Sequence, residues 1–199
     1  MRSRLPWSST VALACALVAA PQALRAQAAP LVVEVRFGGS APVSKLSDGS
    51  RVGEGAGAGA SFGVDLVFSG SGRRTLYLGF DQHRFTCADA GCPEGDRYVA
   101  TGFDAGFRLN MMTTGTVIPW VRVGAITTRV ESPGVPGSPE GVSDLGFGGE
   151  VGLGVYVGAW RPVALNPGVR LGAVNTTLPG GSLLRLRYAV VDLGLALAF

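Results

Sequence analysis

The chain has 199 residues, a formal net charge of +3 at pH 7 and 31 glycines. Hydrophobic residues make up 47% of it and charged residues 16%, against roughly 25% charged residues in an average soluble domain. The basic residues are scattered and are not interleaved with aromatic residues, which excludes the footprint of a nucleic-acid-binding protein. Once a targeting segment is removed, the remaining length suits one domain.

The first 28 residues have the three parts of a cleavable secretory signal. Arg2 and Arg4 give a basic start, residues 11–20 form a short apolar run, and alanine-rich cleavage sites follow. This order is typical of a chain exported through the Sec pathway. We therefore predict a signal peptide over residues 1–28 and a single mature domain over residues 29–199.

Two cysteines remain in the predicted mature domain, Cys87 and Cys92. Because an exported chain meets an oxidising compartment, a local disulfide between them is expected. Two cysteines and one distant histidine cannot complete the tetrahedral shell of a zinc ion. The sequence thus predicts a disulfide here, and it predicts no metal and no cofactor.

From about residue 31, large apolar residues alternate with small or polar ones, which is the period of a β-strand with two different faces. No run of the mature domain reaches the roughly 18 to 20 apolar residues that a spanning helix needs. The connections between the strands alternate between long and short, as they do between the external loops and periplasmic turns of outer-membrane barrels. The eight predicted strands cover about residues 31–38, 56–68, 74–85, 97–110, 115–130, 144–158, 163–175 and 184–199.

The two faces of these strands differ in chemistry. One face is large and apolar, and the other combines glycine and alanine with single charges of both signs. In a narrow membrane barrel the apolar face meets lipid, and the charged face fills the lumen, where opposite charges can pair. The reverse orientation would give a soluble, lipocalin-like binding barrel, but its outer face would then be mostly glycine. The predicted members of the lumen charge network are Glu34, Arg36, Asp65, Asp81, Asp104, Arg108, Arg122, Glu150, Arg170 and Asp192.

The end of the chain resembles the assembly signal of outer-membrane barrels, because Phe199 is terminal and Leu193, Leu195 and Leu197 alternate before it. Residues 118–125, Ile-Pro-Trp-Val-Arg-Val-Gly-Ala, are similar to a segment common in small barrels of the OmpA/OmpX-like superfamily. The resemblance implies an all-β fold, a single eight-stranded antiparallel transmembrane barrel with up-and-down meander order, in the bacterial outer membrane. It also implies a monomer that meets the barrel-assembly machinery during insertion, and outer-membrane lipids and lipopolysaccharide afterwards.

Four functions fit such a chain. The favoured one is a structural or surface-interaction barrel with a filled polar lumen, acting through its extracellular loops. A small pore is disfavoured by mixed charges in a narrow lumen, and a soluble binding barrel by the apolar outer face. A lipid A-modifying enzyme would use His83 as its general base, but Phe85 stands where a deacylase-like pattern needs serine. We therefore predict that the protein is not an enzyme.

Overall fold

The computed structural model describes residues 31–43, 56–69, 73–87, 97–132, 141–158, 162–178, 181 and 183–199. The predicted signal peptide over residues 1–28 lies outside these ranges. Among the described residues, no helix is long and apolar enough to cross a membrane.

All regular structure in the described residues is β-strand. Strand formation follows from the two-residue alternation, because successive side chains of a strand point to opposite faces. The strands are β1 (Leu31–Pro42), β2 (Gly59–Ser69), β3 (Arg74–Thr86), β4 (Arg97–Asn110), β5 (Val117–Ser132), β6 (Gly141–Val142), β7 (Gly146–Val157), β8 (Val163–Thr177) and β9 (Leu183–Ala198).

The eight long strands close into a barrel. Each pairs antiparallel with its neighbours in chain order, and β1 pairs with both β2 and β9, so the sheet has no open edge among these strands. Closure is set by register: Val32 faces Ala198 across the seam and Val67 on the other side. The predicted all-β, eight-stranded antiparallel meander is confirmed.

The connections have different lengths at the two ends of the barrel. At the first end, which we call the termini end, β1 begins and β9 ends, and the short connections β2–β3, β4–β5 and β7–β8 lie there. The second end, which we call the loop end, holds the longer connections β1–β2, β3–β4 and β5–β7, and the β8–β9 connection. The beginning of β1 and the end of β9 therefore lie beside the short turns.

The end of β1 and the connection after β5 differ most from the predictions, while the other strand bounds differ by three residues or fewer. β1 continues from the predicted end at residue 38 to Pro42, because Gly39 pairs with Ala60 on one side and Val191 on the other. Its glycine, serine and proline had suggested a loop, but backbone pairing does not need side chains. The connection after β5 contains the two-residue strand β6, which pairs with the end of β5 at Glu131 and Ser132.

Over most of the height of the barrel, the large apolar side chains of the strands point outward. On β9, for example, Val191, Leu193 and Leu195 are exposed while Val190, Asp192 and Gly194 are buried. The exposed large hydrophobic residues retain 36–65% of their surface, which is the opposite of a soluble core. The interior of the barrel is therefore where the polar residues lie.

Candidate functional site: the charged interior

All ten residues of the predicted charge network point into the barrel, and none is more than 7% exposed. Each lies at an inward position of its strand, and all eight long strands contribute at least one. A buried charge is costly unless it is paired and hydrogen-bonded. The contacts of these side chains therefore decide whether the arrangement is stable.

Arg36 joins the first three strands. Its Nη2 atom lies 2.7 Å from Asp65 Oδ1 and 3.2 Å from Asp81 Oδ2. Gly63, between these partners, leaves room for them, because a Cβ atom there would lie 2.3 Å from Asp81 Oδ1 and 2.9 Å from Arg36 Nη2. A side chain at this position would therefore displace the ends of the Asp81 and Arg36 side chains.

Arg122 on β5 has three acidic partners. Its guanidinium group lies 2.9 Å from Asp65 Oδ2 and 2.8 Å from Asp104 Oδ2, and it also contacts Glu150. The hydroxyl of Tyr77 donates to Glu150 at 2.9 Å, and the Tyr77 ring lies 4.5 Å from the Arg122 guanidinium carbon. Charged hydrogen bonds of this kind are the stronger ones in proteins.

Arg170 on β8 completes the middle of the network. Its Nη1 atom lies 2.7 Å from Asp81 Oδ2, across the barrel, and 3.6 Å from Glu150 Oε2. Its Nη2 atom lies 2.9 Å from Asp192 Oδ2 on the adjacent strand β9. Three of these pairs join strands that are not neighbours and so cross the interior, namely Arg36–Asp81, Arg122–Asp65 and Arg170–Asp81.

A second group lies nearer the termini end and is centred on Glu34. Arg108 donates to both Glu34 carboxylate oxygens, at 2.5 and 2.9 Å, and Tyr156 contacts both residues. Asn166 donates to Glu34 at 3.0 Å and accepts a hydrogen bond from the Trp120 indole at 2.7 Å. Between the middle network and the termini end, the interior is therefore also occupied by paired polar groups.

Four network partners were missed by the sequence predictions: Tyr77, Tyr156, Asn166 and Ser61. The signal that could reveal Ser61 is the short turn between β2 and β3. With Ser69 opposite Thr75, counting eight residues back along β2 and eight forward along β3 places Ser61 opposite His83. The other three are found only once the stagger of strands across the barrel is known.

Three carboxylates converge in the middle network. One oxygen from each of Asp81, Asp104 and Glu150 lies within 4.8 Å of the others. Hard cations bind such oxygen sets, but Arg122 and Arg170 already contact these carboxylates. The cluster is thus a part of the ion-pair network.

His83 lies above the network, towards the loop end. Its Nδ1 atom is 3.0 Å from the hydroxyl of Ser61, and its ring centroid is 4.7 Å from that of Tyr188. Asp81 is two residues away on the same face, but its carboxylate is hydrogen-bonded to Arg36 and Arg170. His83 is 3% exposed, so it sits inside the barrel and not on an open rim.

Above His83 the interior becomes apolar. The predictions did not include this layer, because near the loop end the inward face becomes apolar and the outward face becomes polar. On β9, Leu184 and Leu186 are buried while Arg185 and Arg187 are exposed. The buried members of the layer are Phe85, Tyr98, Ala100, Val130, Leu178, Leu184, Leu186, Tyr188 and Val190.

The predicted disulfide lies beside this layer. Cys87 packs partly buried against it, and Cys92 lies outside the described residues. The pairing of Cys87 with Cys92 stays a prediction.

Solved structures of several bacterial outer-membrane proteins have a similar fold. The outer membrane protein OprG from Pseudomonas aeruginosa gives a TM-score of 0.61 at 12% identity, over 87% of this chain and 97% of that one. Neisserial surface protein A gives 0.59 at 13% identity, over 85% of this chain and 96% of that one. Ail, the attachment invasion locus protein of Yersinia pestis, in complex with the heparin analogue sucrose octasulfate, gives 0.53 at 12% identity, over 87% of this chain and 100% of that one.

No family model matches the chain, and no curated protein matches it. The likeness is therefore one of architecture, carried by the meander order and by the closure of β1 on β9. The chain has the fold of these solved outer-membrane barrels, a closed eight-stranded antiparallel meander.

Proposed function

We propose that the chain is an integral protein of the bacterial outer membrane, a monomeric barrel with a filled polar interior and a structural or surface-interaction role. The observation that carries this proposal is the inverted distribution of side chains. Ten charged residues are buried inside while the large apolar residues are exposed outside. In water, barrels with such an apolar outer surface would aggregate. In a bilayer this surface faces the lipid chains, which is favourable.

The height of the apolar surface also fits a bilayer. On β9 the outward positions from Ala189 to Phe199 span ten residue steps, about 34 Å along a strand and about 25 Å of height at the usual tilt. Above them, Arg185 and Arg187 face outward. We place this arginine level at the outer membrane surface, with the part of the barrel above it projecting out of the bilayer.

The apolar residues at the end of β9 support the proposal that the barrel-assembly machinery inserts the chain. Leu193, Leu195 and Phe199 are exposed on the outward face, where an insertion factor can contact them before lipid does. The signal peptide that would bring the chain to this machinery through the Sec pathway is part of the proposal.

The filled interior argues for a closed barrel and against a pore. The Arg122 and Arg170 pairs cross the middle, and the apolar layer lies above them. Function then falls to the connections at the loop end, which contain by sequence seven acidic residues and two basic ones. The acidic excess of these connections favours a basic partner.

The test is cell fractionation followed by gel electrophoresis of boiled and unboiled samples. We expect the protein in the outer-membrane fraction, with a band that shifts on boiling because a closed barrel resists detergent until it is heated. In planar bilayers the purified barrel should give no steady conductance. A soluble periplasmic protein without a heat shift would contradict the membrane location, and a steady open channel would contradict the filled interior.

We propose that His83 is structural and that the protein is not a lipid A-modifying enzyme. His83 is hydrogen-bonded to Ser61 and covered by Tyr188, so a lipid substrate would have no direct approach to it. Deleting the gene should leave the mass spectrum of lipid A unchanged. A modification that disappears on deletion, and returns with the wild-type gene but not with His83→Ala, would show that an enzyme is present.

A further inference from the structure

The outer wall of the barrel has an apolar groove near the termini end. It has a volume of about 420 Å³ and is lined by Phe68, Leu76, Leu78, Phe107 and the small residue Ala105, among others. This volume falls in the range of roughly 300–1,000 Å³ that is typical of ligand pockets. The groove is a recess of suitable size in the outer wall of the barrel.

Two arginines lie just below this groove. Arg74 is on the same outward face of β3 as Leu76, two residues closer to the termini end, where it pairs with Leu109. Arg73 precedes it, and both side chains are exposed. Within the described ranges, neither guanidinium group has a hydrogen bond or an ion pair with another side chain. Their charge is therefore available to a ligand.

The charges of the connections differ between the two ends of the barrel. The three short connections at the termini end contain by sequence two arginines, Arg73 and Arg161, and no aspartate or glutamate. The connections at the loop end have the acidic excess described above. A guanidinium group pairs with phosphate through parallel hydrogen bonds, so the termini end favours anionic headgroups.

We propose that the groove holds an acyl chain of one anionic glycerophospholipid of the periplasmic leaflet, with its phosphate at Arg73 and Arg74. The apolar walls contact the chain, and the arginines lie at the depth of the headgroup, about 7 Å from the Leu76 level along the strand. This inference rests on the proposed membrane location and adds a lipid class and a site to it. It makes the barrel selective for the lipids around one part of its wall.

The test is native mass spectrometry of the purified barrel, incubated in detergent with equal amounts of phosphatidylglycerol and phosphatidylcholine. We expect one retained phosphatidylglycerol in clear preference to phosphatidylcholine. In the double variant Arg73→Gln, Arg74→Gln this preference should fall about tenfold, because two arginine contacts with an anionic headgroup are lost. The variant Ala105→Phe should fill the groove and lower the retention of both lipids.

Matched controls are provided by the opposite end and the opposite wall of the barrel. Arg97→Gln removes an exposed arginine from the same wall at the loop end, and Ala173→Phe enlarges an exposed outward residue on β8, three strands away from β4 around the barrel. Both should retain lipid as the wild type does. Equal retention in the wild type, the arginine double variant and Ala105→Phe would overturn the proposal, and so would a stable dimer that covers the groove.

The two proposals fail in different ways. If the protein is found in the soluble fraction without a heat shift, the membrane location fails. If it is in the outer membrane and shifts on boiling, but retains both lipids equally, then the lipid site alone is wrong.

Discussion

Replacing Arg122 with Met is expected to lower the free energy of unfolding by about 3–5 kcal/mol, the usual effect of breaking a buried ion pair. Arg122 contacts Asp65, Asp104 and Glu150, and none of these groups reaches water. Methionine keeps much of the side-chain volume but leaves three carboxylates without their shared cation. The measurement is urea unfolding in detergent or lipid vesicles. It is monitored on unboiled gel samples by the loss of the band of the folded barrel.

Arg129→Met is the matched control for this variant. Arg129 lies on the same strand as Arg122 but is exposed on the outward face. Its replacement should change the stability by less than about 0.5 kcal/mol, as is usual for exposed positions. Equal stabilities of the two variants would mean that the buried network does not hold the barrel together.

Gly38→Val is expected to prevent most molecules from closing the barrel. A Cβ atom at Gly38 would lie 2.1 Å from the carbonyl oxygen of Val191 and 2.7 Å from the Cα atom of Asp192, which are backbone atoms of β9. Because backbone atoms cannot turn aside as a flexible side chain can, β1 and β9 would have to separate at the seam. Overpacking commonly costs about 1–3 kcal/mol and more where the neighbour cannot move. The yield of the heat-shifted band after refolding measures the effect.

Gly39→Val is the matched control for Gly38→Val. At Gly39 an added Cβ atom would approach only the Gly59 carbonyl oxygen, at 3.7 Å, which is ordinary contact. Gly39→Val should therefore refold with at least the wild-type yield, since valine favours strands more than glycine does. If both variants refold alike, the close approach at the seam is not what limits closure.

The fold was largely predictable, because it depends on a pattern that every strand repeats. β4 illustrates this, since its predicted bounds at residues 97 and 110 are those of the structure. The inward placement of the ten charges follows from the same alternation. Where the alternation is masked by residues with weak strand preference, as in Gly39–Pro42, the prediction ended too early.

The partners inside the barrel were less predictable. A sequence tells which face a residue occupies, but the height at which side chains meet depends on the stagger accumulated around the barrel. Arg108 and Glu34 are 74 residues apart, and Asn166 and Glu34 are 132 apart, so no local pattern joins them. The apolar layer at the loop end was missed for a different reason. There the two faces of the strands exchange their chemistry, so that the outward face is polar and the inward face is apolar.

The cross-barrel pairs have a consequence for how the chain can enter a bilayer. Arg170 on β8 meets Asp81 on β3 only when the sheet is curved enough for β9 to join β1. An inserted but open sheet would expose those charges to hydrocarbon, where they are strongly disfavoured. The interior therefore disfavours inserted but partly closed forms, and insertion, curling of the sheet and closure of β9 on β1 are expected to occur together.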